Sequence, residues 1–103
     1  MTKLSARLEF CLQYGNLTVA DLSRWFDRPH PTVRGWVANQ FKPRGGPHDV
    51  MHVYKMLEGL ERLIRERQKL PLQRGISRTA RIRQIERLRR DIDDRLLQKG
   101  ITR

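Results

Sequence analysis

The apolar residues of this chain recur every three or four positions in five separate stretches, which is the spacing of amphipathic helices. The first stretch covers residues 1–14. Its apolar face consists of Leu4, Leu8, Cys11 and Leu12. Gly15 and Asn16 end this helix, because both residues accept the left-handed backbone that often follows a helix. The pattern predicts an all-α protein that opens with one amphipathic helix.

Two short helices with a tight turn between them are predicted within residues 17–40. Thr18, followed three positions later by Asp21, is typical of a helix start, where each side chain accepts a backbone N–H of the other residue. Asp27 is expected to hold a positive φ in the turn, which aspartate tolerates better than most residues. Pro31 can open the second helix, since the first helical position needs no N–H donor. That helix is expected to end at Gln40.

Two longer helices are predicted in the C-terminal half, over residues 48–70 and 78–98. Pro71 and Gly75 interrupt the pattern between them, and Ser77 is the expected N-cap of the last helix. The two helices can fold as an antiparallel hairpin with a coiled-coil-like seam.

The apolar stripes of this hairpin are wider than one partner helix covers, so we expect copies of the chain to associate. A dimer is favoured, since two-fold dimers are the commonest symmetric oligomers, and a ring is possible. The side chains expected at this interface are Val53, Leu57, Leu60, Ile64, Ile85, Leu88, Ile92 and Leu96. The alternative is a monomer in which the hairpin packs back on the N-terminal helices.

The charge of the chain favours a polyanionic partner. Twenty-two lysines and arginines against eleven acidic residues leave a net charge of +11. Such a positive surplus favours nucleic acid as the partner, and an anionic membrane surface is the alternative. No apolar run is long enough to span a membrane and no signal-peptide pattern opens the chain, so we expect a cytoplasmic protein without a membrane partner. An RNA-binding protein would need exposed aromatic rings, whereas Trp25, Phe26 and Trp36 are expected in the core.

Enzyme chemistry is not indicated by this sequence. Cys11 is the single cysteine, which excludes an internal disulfide and a cysteine zinc site. His48 and His52 are four residues apart and could share one metal ion, but no third ligand is evident. We therefore expect a protein without a catalytic site, a metal or another cofactor.

The segment from Leu17 to Trp36 resembles the helix-turn-helix of phage-repressor-like DNA-binding proteins. The matching positions are Leu17-Thr18, Leu22-Ser23, Thr32-Val33 and Trp36, in register and without a gap. Asp27 replaces the usual turn glycine, and Arg28 replaces the apolar residue that follows it. The resemblance implies an N-terminal three-helix DNA-binding domain over residues 1–41. A linker with two prolines and two glycines would cover residues 42–47, and the oligomerisation hairpin residues 48–103.

The resemblance also implies how double-stranded DNA is bound. The second helix of the motif would enter the major groove, with Arg34 as the leading candidate for a bidentate contact to guanine. The candidates for base contacts are His30, Thr32, Arg34, Gly35 and Asn39. The candidates for phosphate contacts are Thr18, Arg24, Arg28, Lys42 and Arg44. Gly35 could allow close approach to DNA, or close packing between helices.

Two roles agree with these expectations. The first is a phage-type transcriptional regulator that binds its operator as an oligomer, in the bacterial host cytoplasm if the protein is phage-encoded. The second is DNA packaging, because a DNA-binding head followed by a helical hairpin is similar in architecture to the small terminase subunit of tailed phages. The number of subunits separates the two: a dimer favours the regulator, and a ring of eight or more favours packaging.

Overall fold

The computed structural model describes residues 3–100 and confirms an all-α fold, with five helices and no strand in that range. The helices are α1 Leu4–Tyr14, α2 Val19–Phe26, α3 His30–Val37, α4 Pro47–Arg65 and α5 Arg78–Gln98. The predicted domains also include residues 1–2 and 101–103, which lie outside the described residues. Within the described range, no helix combines the length and the apolar character that crossing a membrane requires.

The start of α2 and the α2–α3 turn follow from local side chains, as predicted. The Thr18 hydroxyl accepts the backbone N–H of Asp21 at 3.2 Å, and the Asp21 carboxylate accepts the N–H of Thr18 at 2.9 Å. Asp27 ends α2 in the left-handed region, at φ 55°. Ser77 caps α5 by accepting the N–H of Ala80 at 3.2 Å. These interactions satisfy backbone donors that a helix leaves free at its first turn.

α1 begins at Leu4 rather than at residue 1, with Lys3 as its N-cap. α3 and α4 end earlier than predicted, and each ends where a residue takes a positive φ. α3 begins at His30, one residue before Pro31, and ends at Val37 rather than Gln40, because Asn39 has φ 58°. α4 ends at Arg65 rather than Leu70, because Arg67 has φ 53°. In both cases the left-handed residue lies two positions after the last helical residue and turns the chain away.

One hydrophobic core joins the two predicted domains. α1 packs on α3 and α4, while α5 packs on α2 and α4. Trp25 of α2 and Met56 of α4 are both about 1% exposed in this core, and the Trp25 indole N–H donates to the Met56 carbonyl at 2.9 Å. The described parts of residues 1–41 and 48–103 are therefore not separate bodies. Within one chain α4 and α5 pack on the N-terminal helices. The monomer of the alternative prediction stays a prediction.

The shared core also changes the expected interface between copies. The eight side chains expected there are all between 0% and 8% exposed within a single chain: Val53, Leu57, Leu60, Ile64, Ile85, Leu88, Ile92 and Leu96. A single chain therefore already buries these side chains, in the contacts of α4 and α5 with each other and with α1 and α2. Amphipathic spacing identified these residues as buried, but it does not specify which surface buries them.

Candidate nucleic-acid interface

The inner face of α3 is fixed by α1 and α2, and its outer face is left to solvent. Val33 and Trp36 are 0% and 2% exposed on the inner face. The Trp36 ring meets Phe26 edge to face, with 5.7 Å between ring centroids. Arg34 lies on the opposite side of α3 and is exposed. α4 and α5 pack elsewhere, on α1 and α2, so the Arg34 side of α3 can reach a large partner.

The turn before α3 is braced by Arg28. Ser23 donates its hydroxyl to the Arg28 carbonyl at 2.6 Å, and Arg28 donates its guanidinium to the carbonyls of Phe26 and Asp27 at 3.2 and 3.3 Å. These contacts hold the guanidinium beside the end of α2. Arg28 therefore contributes a positive charge at a fixed place next to α3.

A groove of about 380 Å³ runs along one side of α3. We call it the α3 groove. It is lined by Arg28, Thr32, Trp36, Phe41, Lys42 and Arg44. Lys42 and Arg44 are exposed, and no carboxylate of the described residues lies within 4.0 Å of either. Four of the ten predicted DNA-contact residues are thus brought together on one concave, basic surface.

Trp36 lines this groove and carries a buried indole N–H. Its indole N–H is buried and has no acceptor among the described residues. Buried polar groups are nearly always paired, and leaving one unpaired costs about 1–3 kcal/mol. The sequence indicated that Trp36 faces inward but gave no sign of this free donor.

The predicted base-contact residues divide into three groups. Arg34 is exposed on α3, and His30 and Thr32 are half-buried in its first turn. Asn39 is exposed but lies beyond the end of α3. Gly35 is buried, and a methyl group added there would overlap the ring of Phe41. The expectation that Gly35 faces outward is wrong: its missing side chain makes room for Phe41, not for DNA.

The predicted phosphate-contact residues fall into two groups, one at the α3 groove and one near the start of α2. Lys42, Arg44 and Arg28 line the α3 groove. Thr18 instead caps α2, where the Asp21 carboxylate already occupies the positive end of the helix. Arg24 lies 3.6 Å from the same carboxylate. A phosphate placed at Thr18 and Arg24 would face this acid, so these two residues are poorly placed for DNA.

The remaining candidates for site chemistry are His48, His52 and Cys11. The Nε2 atom of His52 lies 2.9 Å from a carboxylate oxygen of Asp93, while His48 is exposed. Residues 3–100 contain no group of three or more histidine, cysteine and acidic side chains that could hold a metal ion. Cys11 is 0% exposed, and burial raises the pKa of its thiol to about 12. A thiol that stays protonated is a poor nucleophile.

Comparison with protein-family models, curated proteins and solved structures yields no match. The function is therefore inferred from the chain's own geometry and charge.

Proposed function

We propose that this protein binds double-stranded DNA by placing α3 in the major groove, as the helix-turn-helix resemblance implies. Two observations carry the proposal: Arg34 is exposed on α3, and a separate groove along the same helix has a basic lining that includes Arg28, Lys42 and Arg44. A major groove admits one α-helix, and an arginine can donate two hydrogen bonds to guanine. Arg34 is the residue best placed for that contact.

The α3 groove would hold a backbone phosphate beside the bound helix. Lys42 and Arg44 would supply the charge that holds it. Thr32 lines the groove in the first turn of α3, so a phosphate there would fix the depth of the helix in the DNA. Contacts of this kind position a protein on DNA, whereas contacts to base edges give sequence preference.

The role we propose is that of a phage-type transcriptional regulator in the cytoplasm, the host cytoplasm if the gene is carried by a phage. A small terminase subunit would assemble as a ring, and the burial of the predicted interface side chains within one chain applies to a dimer and to a ring alike. Whether the regulator forms a dimer stays a prediction. Light scattering with size exclusion measures the number of subunits.

The proposal is tested by selecting duplexes from a random library with the full chain and comparing variants on the selected site. Arg34→Ala is expected to weaken binding to that site by about ten-fold or more, since one bidentate contact is worth about 1–3 kcal/mol. Binding to unrelated duplex should change much less. A gel-shift series at rising salt should also show a steep loss of affinity, because phosphate contacts release counterions.

Arg83→Ala is the matched control, since Arg83 is exposed on α5 and its loss removes the same charge. This variant should bind the selected site nearly as well as the unmodified chain. If Arg34→Ala and Arg83→Ala bind the selected site equally well, α3 does not read base pairs and the proposal is overturned. The same conclusion follows if selection enriches no duplex.

A further inference from the structure

A second basic surface lies away from α3, where the C-terminal ends of α1 and α4 meet the segment that follows α4. It is a recess of about 610 Å³, within the usual range of ligand pockets, roughly 300–1,000 Å³. We call it the α1–α4 groove. Its lining includes Phe10, Tyr14, Arg65, Arg67, Leu72 and Arg74, and no acidic side chain of the described residues lines it.

The aromatic side of this groove is open to solvent. Tyr14 is 57% exposed, the largest exposure of any large apolar side chain in the described residues. Its ring lies 5.1 Å from that of Phe10, measured between centroids, and Phe10 is covered in turn by the Arg65 guanidinium at 5.4 Å. The contact with Phe10 holds the Tyr14 ring in place while most of its surface stays free. A planar group can therefore stack on Tyr14 without displacing another side chain.

The segment that follows α4 forms the wall opposite α1, and hydrogen bonds hold it against the end of α1. Asn16 donates its side-chain amide to the Leu72 carbonyl at 2.8 Å, and the Leu72 N–H donates to the Gly15 carbonyl at 3.1 Å. Leu72 itself is 3% exposed. These contacts fix the segment that carries Arg74 against the end of α1, so the groove is formed before any ligand arrives.

Arg67 lies at a position whose left-handed backbone favours glycine. It has φ 53°, two positions after the last residue of α4, where glycine is normally found. Arg67 is exposed and lines the groove, so no buried contact accounts for an arginine there. Arg67 therefore places an exposed cationic side chain at the edge of the groove.

We propose that the α1–α4 groove binds single-stranded nucleic acid, with one base stacked on Tyr14 and the adjacent phosphates paired with Arg65, Arg67 and Arg74. Open aromatic rings beside cationic side chains are the combination that holds unpaired strands, because every base has a face that can stack. A duplex keeps its bases stacked on one another and cannot offer a face to Tyr14. The groove shares no lining residue with the α3 groove, so the proposal does not depend on duplex binding.

The test is fluorescence anisotropy of a labelled short oligothymidylate titrated with the full chain. Tyr14→Ala should weaken binding by about ten-fold, since stacking on one aromatic ring typically gives about that factor. Tyr14→Phe keeps the ring and should bind within two-fold of the unmodified chain. Leu97→Ala is the matched control, because Leu97 is also an exposed apolar side chain, at 50%, and belongs to α5. It should have no effect.

Arg67→Gly separates binding from folding. Glycine suits the left-handed backbone at this position, so the variant should raise the melting temperature while weakening oligonucleotide binding several-fold more than Arg83→Ala does. A simple loss of structure would lower the melting temperature instead. Circular dichroism of each variant checks that the helices are retained.

Three outcomes would overturn the proposal. The first is equal binding by Tyr14→Ala and Tyr14→Phe. The second is equal affinity for an abasic oligonucleotide of the same length, which would show attraction to phosphates alone. The third is displacement of the oligonucleotide by a polyglutamate peptide at matched charge, which would indicate an acidic protein partner. Duplex binding by Tyr14→Ala should be unchanged, so failure here leaves the duplex proposal standing.

Discussion

Trp25 and Trp36 are almost equally buried, at 1% and 2% exposure, but among residues 3–100 only the Trp25 indole N–H has a hydrogen-bond partner. Trp25 lies in the internal interface, by which we mean the contact of α1 and α2 with α4 and α5. Its N–H donates to the Met56 carbonyl at 2.9 Å. Trp36 lines the α3 groove, where its N–H has no acceptor among the described residues.

The charged groups of the two regions differ in the same way. In the internal interface Arg7 pairs with Glu61, Arg81 pairs with Asp21, and Arg89 donates to the Trp25 carbonyl at 3.1 Å. At the α3 groove no carboxylate of the described residues lies within 4.0 Å of the charged atoms of Lys42 or Arg44. The acidic residues that could offset the chain's charge are partly used inside the fold. The positive surplus is therefore left on the surface of the protein, part of it at the α3 groove.

The largest expected effect is on the Arg7–Glu61 pair. Glu61 accepts two hydrogen bonds from Arg7, at 2.6 and 3.1 Å, and these bonds raise the pKa of the Arg7 guanidinium. Glu61→Gln leaves that guanidinium without a negative partner at a side chain that is 5% exposed. We expect the free energy of unfolding to fall by about 2 kcal/mol, less than for a fully buried pair because Arg7 is partly exposed. Urea denaturation measures it.

Glu58→Gln is the matched control for this measurement. Glu58 lies one turn earlier on α4, is 52% exposed in its side chain, and pairs with Lys55 and Arg62 at 3.4 and 3.9 Å. Such surface pairs contribute less than about 1 kcal/mol, so the variant should unfold almost like the unmodified chain. Equal losses for the two variants would mean that the internal ion pair is no more important than a surface pair.

Helix starts could be predicted from the sequence because their causes lie within three residues. Thr18 with Asp21, and Ser77, cap the helices that follow them, and Asp27 takes the predicted positive φ. The end of α4 could not be predicted in the same way. The residue that turns the chain there is Arg67, and arginine carries no preference for a left-handed backbone.

The candidate site was only partly predictable for a similar reason. Lys42 and Arg44 could be proposed from charge and their place after α3. The free N–H of Trp36 could not, because whether a buried donor finds an acceptor depends on residues brought near it by the whole fold. The packing of α5 on α2 was likewise undetermined, since an apolar stripe shows that a helix face is buried without identifying its partner.

A smaller effect is expected from pH at Cys11, which tests how well the internal interface excludes water. Burial raises the pKa of this thiol from 9.0 to about 12, so the folded chain keeps the proton at pH values where the unfolded chain loses it. Stability from this group is complete below pH 9 and is lost as the pH rises toward 12. Between pH 8 and 10 the unmodified chain should lose about 1 kcal/mol more than Cys11→Ala in urea denaturation. Equal losses would show that the thiol ionises in the fold.

The smallest effect is the difference between the two tryptophans. Trp25→Phe removes ring volume and also a hydrogen bond to Met56, whereas Trp36→Phe removes ring volume and a donor without an acceptor. A hydrogen bond contributes about 0.5–1.5 kcal/mol net, so Trp25→Phe should cost about 1 kcal/mol more in the free energy of unfolding. In duplex DNA binding, Trp36→Phe should have the larger effect of the two variants. If a phosphate accepts the Trp36 N–H, Trp36→Phe should weaken DNA binding several-fold and Trp25→Phe should not, and equal affinities would place the phosphate outside the α3 groove.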